Sequence, residues 1–330
     1  MTKKVLLTGV AGFIGSHMLD HLLVNTNWHV IGVASFMHKG KPERVFDSKH
    51  FQEHRDRVEI MTHDLRHPFS DKELERLKGV DYIINVASES HVDRSLVEPR
   101  AFILNNVELM LTMLEAARVI KPQKFIQVST DEVYGPAEDG YAHKEGEPHR
   151  PSNPYSASKA AQEDICYAYW RSFGVPIIQT NTMNNIGERQ DAEKFVPMVI
   201  RKVLAGEQVV IHGSHGNIGS RYYLHARNHA DAILHLLRMV TPVPYGSGEM
   251  ARFNVVGEKE IDNLAMAELV ASFVGKELDY RLEDFHKTRP GHDRRYALDG
   301  AKIQETGWQQ PFSLEESLKK TVEWELERLC

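Results

Sequence analysis

Cysteine is scarce in this chain. Two occur in 330 residues, Cys166 and the terminal Cys330. Their separation suits neither a metal knuckle nor a disulfide framework, and this usage fits a reducing cytoplasm. Cys166 reads as helix packing. Excess positive charge is also missing. Forty Lys and Arg stand against 46 Asp and Glu, a formal net charge of −6, which gives no support for a nucleic-acid or membrane-surface partner. A small anionic substrate would need its own local basic pocket. No apolar run approaches the ~20 residues of a membrane span. The start, Met1-Thr2-Lys3-Lys4, enters an apolar strand without a signal-peptide layout. The 18 histidines are scattered without a His-x-x-x-His pattern, so no metal centre is expected. What is present is ordinary globular material, 42% hydrophobic and 26% charged, enough for one large α/β unit or two modest domains.

Short apolar runs alternate with amphipathic stretches. Val5–Leu7, His29–Val33, Val58–Met61, Tyr82–Val86, Lys124–Ser129 and Pro176–Asn181 read as strands, with helices over Ile14–Leu23, Pro99–Val119 and Tyr155–Phe173. This rhythm implies an α/β fold, a Rossmann-type doubly wound parallel sheet with helices on both faces. Such sheets bind ligands at the carboxyl ends of their strands. After about residue 186 the pattern changes. Strands at Val209–His212 and Phe253–Val256 mix with helices near Phe195–Ala205, His229–Met239, Asp262–Val274 and Ser313–Leu329, with Ser313 as the cap. The expected organisation is a dinucleotide-binding domain over 1–185 and a smaller mixed α/β substrate lobe over 186–330. The two lobes are free to interleave and leave a cleft between them.

Thr8-Gly9-Val10-Ala11-Gly12-Phe13-Ile14-Gly15 follows the first strand and opens a helix. Glycines there allow a tight turn and close approach of a pyrophosphate to backbone N–H groups at a helix N-terminus. The second strand ends Val33-Ala34-Ser35, without the carboxylate that usually holds an adenosine ribose. His38, Lys39, Lys41 and Arg44 follow. Two readings stay open: cations for the 2′-phosphate of NADP, or a solvated loop. Asp64 and Leu65, after the third strand, are candidates for adenine contact. Ala87 and Ser88, after the fourth, are small enough for a cofactor to lie against the sheet.

Tyr155 and Lys159 are four apart in a helical segment, hence on one face. An ammonium beside a phenol favours phenolate, which starts near pKa ~10. A phenolate can take an alcohol's proton while hydride leaves. Alone, this pair reads equally well as surface decoration. It gains meaning from Ser129-Thr130 at the end of the preceding strand. Asp131 and Glu132 follow directly. They read either as an acid and a base for eliminating water beside a ketone, or as a solvated turn.

The chain resembles the extended short-chain dehydrogenase/reductase superfamily, and within it the nucleotide-sugar 4,6-dehydratases of the dTDP-glucose type. The likeness is carried by Thr8–Gly15, Ala87–Ser95, Ser129–Gly135, Pro154–Lys159, Asn184-Asn185, Glu193–Pro197 and Arg289–Tyr296. It implies a homodimer that binds NAD and a nucleotide-diphosphate hexose. It implies that Tyr155 takes the C4 hydroxyl proton, that Thr130 polarises that oxygen, that Glu132 removes the C5 proton and that Asp131 protonates the departing C6 hydroxyl. Asn105 and Asn185 join the cofactor contacts, with Lys159 on a ribose hydroxyl. The implied substrate contacts are Ser90, Asp93, Thr130, Asn184, Lys194, Phe195, His212, Arg221, Asn263, Arg289 and His292. The match has departures. The family's Arg-Asp-Trp-Leu reads Arg221-Tyr222-Tyr223-Leu224, its downstream Glu-Asp reads Arg227-Asn228, and the acid after the second strand is missing. Two other functions share the scaffold: a 4-epimerase or C6 decarboxylase, and a non-catalytic NAD(P)-binding regulator. The Thr-Asp-Glu triplet speaks for the dehydratase.

Overall fold

The computed structural model describes residues 2–37, 39–214, 216–284 and 293–329. Arg289 and His292, and His38 in the cationic loop, lie outside them. Thirteen strands are described: β1 Lys4–Thr8, β2 His29–Ala34, β3 Val58–Thr62, β4 Tyr82–Asn85, β5 Lys124–Thr130, β6 Ile177–Thr182, β7 Asn184–Ile186, β8 Val209–Ser214, β9 Asn217–Ile218, β10 Ser220–His225, β11 Ala251–Val255, β12 Glu260–Asp262 and β13 Tyr280–Glu283. The longer helices are α1 Phe13–Asn25, α2 Pro99–Ile120, α3 Pro154–Phe173, α4 Phe195–Ala205, α5 Ala226–Met239, α6 Asn263–Val274 and α7 Leu314–Leu329.

The main sheet runs β11-β6-β5-β4-β1-β2-β3, and every pairing in it is parallel. Its strands are continuous apolar runs because both faces are covered. On one face Met18, Leu19 and Leu22 of α1 and Ile233, Leu236 and Leu237 of α5 pack over Val5, Leu7 and Ile126. On the other, Met110 and Met113 of α2 and Cys166 and Trp170 of α3 pack over Leu6, Ile83 and Phe125. Cys166 is a buried free thiol within that layer. The strand order reverses between β1 and β4, which places the ligand crevice at their carboxyl ends.

Two small three-stranded sheets, β12-β10-β7 and β13-β8-β9, lie outside the main sheet. Val199 and Ile200 of α4, Met266 and Val270 of α6, and Leu318 and Val322 of α7 form a core with Val209 and Ile211. The chain returns from this region to the main sheet through α5 and β11. The first sheet is therefore assembled from both halves of the sequence.

Side-chain contacts around Glu188 tie the regions together. Glu188, just after β7, lies with its Oε2 2.9 Å from His225 Nε2 and its Oε1 3.3 Å from Lys320 Nζ of α7. His17 of α1 bonds the Glu188 carbonyl oxygen through Nε2 at 2.8 Å. No local spacing announces this grouping of positions 17, 188 and 225.

Candidate active site

A single cleft runs along the carboxyl ends of β1, β2, β4, β5 and β6. Gly9, Gly12, Phe13, Ile14, Gly15, Ser35, Asp64, Leu65, Ala87, Ser88, Asn105 and Asn185 line it, as do Thr130, Asp131, Glu132, Tyr155 and Lys159. Ser90, Asn184 and Lys194 complete the wall from the substrate side.

The dinucleotide end follows from backbone geometry. Gly9 has φ +68°, and a Cβ on it would sit 3.0 Å from the Ala87 backbone. A Cβ on Gly15 would sit 2.0 Å from the Gly9 carbonyl oxygen. Only hydrogen fits at either position. Helix α1 begins at Gly12 with no side-chain cap, which keeps its first N–H groups for an anion. These residues fit a dinucleotide pyrophosphate.

The cations after β2 are not a free phosphate site. Arg44 Nη2 lies 3.1 Å from Asp191 Oδ1, and Lys41 Nζ lies 3.5 Å from the same atom. Lys39 Nζ lies 2.5 Å from Glu193 Oε1. The sequence kept NADP open on the strength of these cations. In the fold, two acids from beyond residue 186 already match them.

At the catalytic end, Asn153 caps α3. Its side chain accepts from Ser156 N at 2.9 Å, and Ser156 Oγ accepts from Asn153 N at 3.2 Å. Pro154 opens the helix, so Tyr155 falls in the first turn and Lys159 one turn later. Thr130 ends β5 and donates from Oγ1 to Asp131 Oδ1 at 2.9 Å. The Tyr155 phenol and the Thr130 hydroxyl share a hydrogen bond. Asn153 Nδ2 also donates to Glu132 Oε2 at 3.1 Å, so one residue both starts α3 and aims the carboxylate. Sequence reasoning missed Asn153, although its place before Pro154 marks it as a cap.

Electrostatics set the pair apart from a solvated turn. Asp131 is 5% exposed, and its Oδ2 is buried without a hydrogen-bond partner. Burial pushes Asp131 up to about 6. Burial, and then the Asp131 charge, push Glu132 up to about 7, against the Asn153 hydrogen bond and the charges of Arg221 and Lys194. Both carboxyls can therefore exchange protons near neutrality. Burial holds the Tyr155 phenol above its ordinary value, and Glu132 adds to this. Lys159 is buried and drawn down to about 8. Its ammonium donates to Val128 O at 2.7 Å and Gln162 Oε1 at 2.8 Å. Burial and the Glu132 and Asp131 charges set the direction at the phenol, opposite to the lowering expected from Lys159.

Five expected substrate residues are not on the cleft wall. Phe195 opens α4 and packs on the second core. Asp93 sits in the first turn of the short helix Val92–Val97. His212 lies in β8, in register with Glu283. Asn263 accepts from the Tyr223 hydroxyl at 3.1 Å. Arg221 donates to the backbone oxygens of Asp293 and Arg294 and lies 4.7 Å from the Tyr296 ring centroid. Its charge still reaches Asp131 and Glu132.

The family described as GDP-mannose 4,6 dehydratase matches residues 6–321. A dTDP-glucose 4,6-dehydratase of Shigella flexneri is 36% identical, over 98% of this chain and 92% of that one. The chain belongs to the GDP-mannose 4,6-dehydratase family. The low-salt glycan biosynthesis protein Agl12 of Haloferax volcanii is 33% identical, over 98% of both chains. Among solved structures, the dTDP-glucose 4,6-dehydratase DesIV of Streptomyces venezuelae, with NAD bound, has a TM-score of 0.83 at 30% identity, over 98% of this chain and 97% of that one. A UDP-glucose 4-epimerase of Thermus thermophilus, also with NAD, has a TM-score of 0.83 at 26% identity, over 98% and 99%. The fold is thus common to dehydratases and epimerases, and within the family the side chains at the cleft must separate the two chemistries.

Proposed function

We propose that this protein is a nucleotide-sugar 4,6-dehydratase that converts a nucleotide-diphosphate hexose to its 4-keto-6-deoxy product and water. The observation that carries the reading is the buried Asp131–Glu132 pair next to Thr130 and Tyr155. Oxidation or epimerisation at C4 needs one base. Elimination across C5 and C6 needs two further proton handlers.

In this reading Tyr155 takes the C4 hydroxyl proton, and the Thr130 hydroxyl holds the same oxygen. Glu132, aimed by Asn153, removes the C5 proton, which the C4 ketone has made acidic. Asp131 delivers a proton to the leaving C6 hydroxyl. Lys159 binds a ribose hydroxyl, and Gly9, Gly12 and Gly15 bring backbone N–H groups to the pyrophosphate. NAD+, held by these residues, would supply reversible hydride transfer between the sugar's C4 and C6. The half-buried Lys194 stands beside Ser90 O at 3.5 Å and is placed to meet the substrate diphosphate. The test is incubation with dTDP-, UDP- and GDP-hexoses. A 4-keto-6-deoxy product with the cofactor unchanged overall supports the assignment, and an inverted C4 or released CO2 defeats it.

Two finer features belong to the same reading. No helix among the described residues is long and apolar enough to cross a membrane, and we place the enzyme in the cytoplasm, where nucleotide sugars are made. We also assign it a homodimer built on α2 and α3. Ile103 (36% exposed), Leu104 (42%) and Leu111 (39%) of α2 and Tyr167 (39%) of α3 leave apolar surface uncovered. Light scattering should give twice the chain mass, and a monomer mass would refute the dimer.

A further inference from the structure

We propose that Asp191 makes this site choose NAD over NADP, in place of the acid missing after β2. The inference rests on the NAD reading above and names the residue behind it. Dinucleotide sites of this fold usually carry a carboxylate at the end of the second strand, where it accepts from the ribose 2′-hydroxyl and repels a 2′-phosphate. Here that strand ends in Ser35. Three cations follow it, which on sequence alone leaves the phosphate open.

The fold reverses this by bringing a carboxylate in from the second half of the chain. Asp191 Oδ1 lies 3.1 Å from Arg44 Nη2, 3.5 Å from Lys41 Nζ and 4.0 Å from Lys39 Nζ. Arg44 is only 3% exposed, and its Nη1 and Nε are committed to backbone oxygens. Nη1 donates to Lys39 O at 2.7 Å, and Nε donates to Arg189 O at 3.0 Å. The guanidinium is thus held by backbone oxygens through Nη1 and Nε, with Nη2 facing the Asp191 carboxylate as an ion pair. Asp191, Ser35, Lys39 and Arg44 all line the same cleft, and Asp191 sits against the cations that follow Ser35 in sequence. A phosphate there meets a like charge, beside cations that Asp191 and Glu193 already pair. A hydroxyl meets only an acceptor.

The test is competitive loading. Purified protein, with whatever cofactor it carries, is incubated with equal large excesses of NAD+ and NADP+. It is then passed through gel filtration, and the bound dinucleotide is identified by mass. The unaltered protein should retain NAD+. Asp191→Asn keeps the shape and removes the charge, and should raise the bound NADP+ to NAD+ ratio by about 10- to 100-fold, as expected for relief of one like-charge contact. Asp191→Ser is made in parallel, and circular dichroism decides which variant is folded. Adding Lys41→Ala to the folded variant should lower the ratio again. A folded Asp191 variant that keeps the wild-type ratio overturns the assignment. Unaltered protein that itself loads NADP+ overturns the NAD reading instead, so the two failures are distinguishable.

Discussion

Glu132→Gln should slow turnover by orders of magnitude while making the fold more stable in alkali. Glutamine matches glutamate in size and can still accept from Asn153 Nδ2, which now donates to Glu132 Oε2 at 3.1 Å. What is lost is the base. Removing a positioned general base costs about 10²- to 10⁴-fold in rate, roughly 3–5 kcal/mol of barrier. The stability change has the opposite sign. Burial and the Asp131 charge raise Glu132 from 4.5 to about 7, so the folded state holds this proton more tightly than the unfolded chain does. Ionising it as pH rises through about 7 therefore costs the fold something of the order of 3 kcal/mol. The glutamine variant escapes that cost. It should match the wild type below about pH 4.5 and exceed it above pH 7. Glu132 also helps to raise the Tyr155 phenol, so oxidation at C4 should persist and begin at lower pH. Stopped-flow absorbance of the reduced nicotinamide should show oxidation that stalls, with no solvent deuterium entering C5. Full turnover by a folded Glu132→Gln, or destabilisation at pH 8, would refute this reasoning.

Tyr155→Phe removes only a hydroxyl whose hydrogen-bond partner is Thr130; the reduced-cofactor transient should fall by about 10²-fold or more with an unchanged melting temperature, and a transient at the wild-type rate would assign the base elsewhere. Gly15→Ala puts a methyl group 2.0 Å from the Gly9 carbonyl oxygen, so the purified variant should carry little or no dinucleotide by mass and melt at lower temperature; a full cofactor load would show that the turn can shift. Burial holds His229 down from 6.5 to about 4, so it must be protonated on acid unfolding. Relative to His229→Asn, the wild type should therefore lose of the order of 3 kcal/mol between about pH 6.5 and pH 4. A constant difference across that window in denaturant melts would refute the burial argument.

Much of this site was legible because its parts are local. The glycine turn, the Tyr155–Lys159 spacing and the Thr130-Asp131-Glu132 triplet each sit within a few residues, next to a strand end that apolar runs mark. The helix starts were legible for the same reason: Ser313 caps α7 by accepting from Glu316 N at 3.2 Å. What could not be read depends on partners far apart in sequence. Lys39 and Arg44 look like a phosphate site until Asp191 and Glu193 arrive from the other half of the chain. Arg221 looks like a free cation until the backbone at 293 and 294 takes its guanidinium. Hydrophobic periodicity places elements, and it carries no information about which charges meet across them.

The most direct test of the central claim follows one hydrogen. A nucleotide-diphosphate hexose carrying deuterium at C4 is incubated with the enzyme in ordinary water, and the product is examined by NMR and mass spectrometry. If Tyr155, Glu132 and Asp131 act as assigned, the product is a 4-keto-6-deoxy sugar that has lost one water, with the deuterium at C6 and a solvent hydrogen at C5. Deuterium returned to C4 in a sugar that keeps its C6 hydroxyl would contradict the account and place the chemistry with the epimerases.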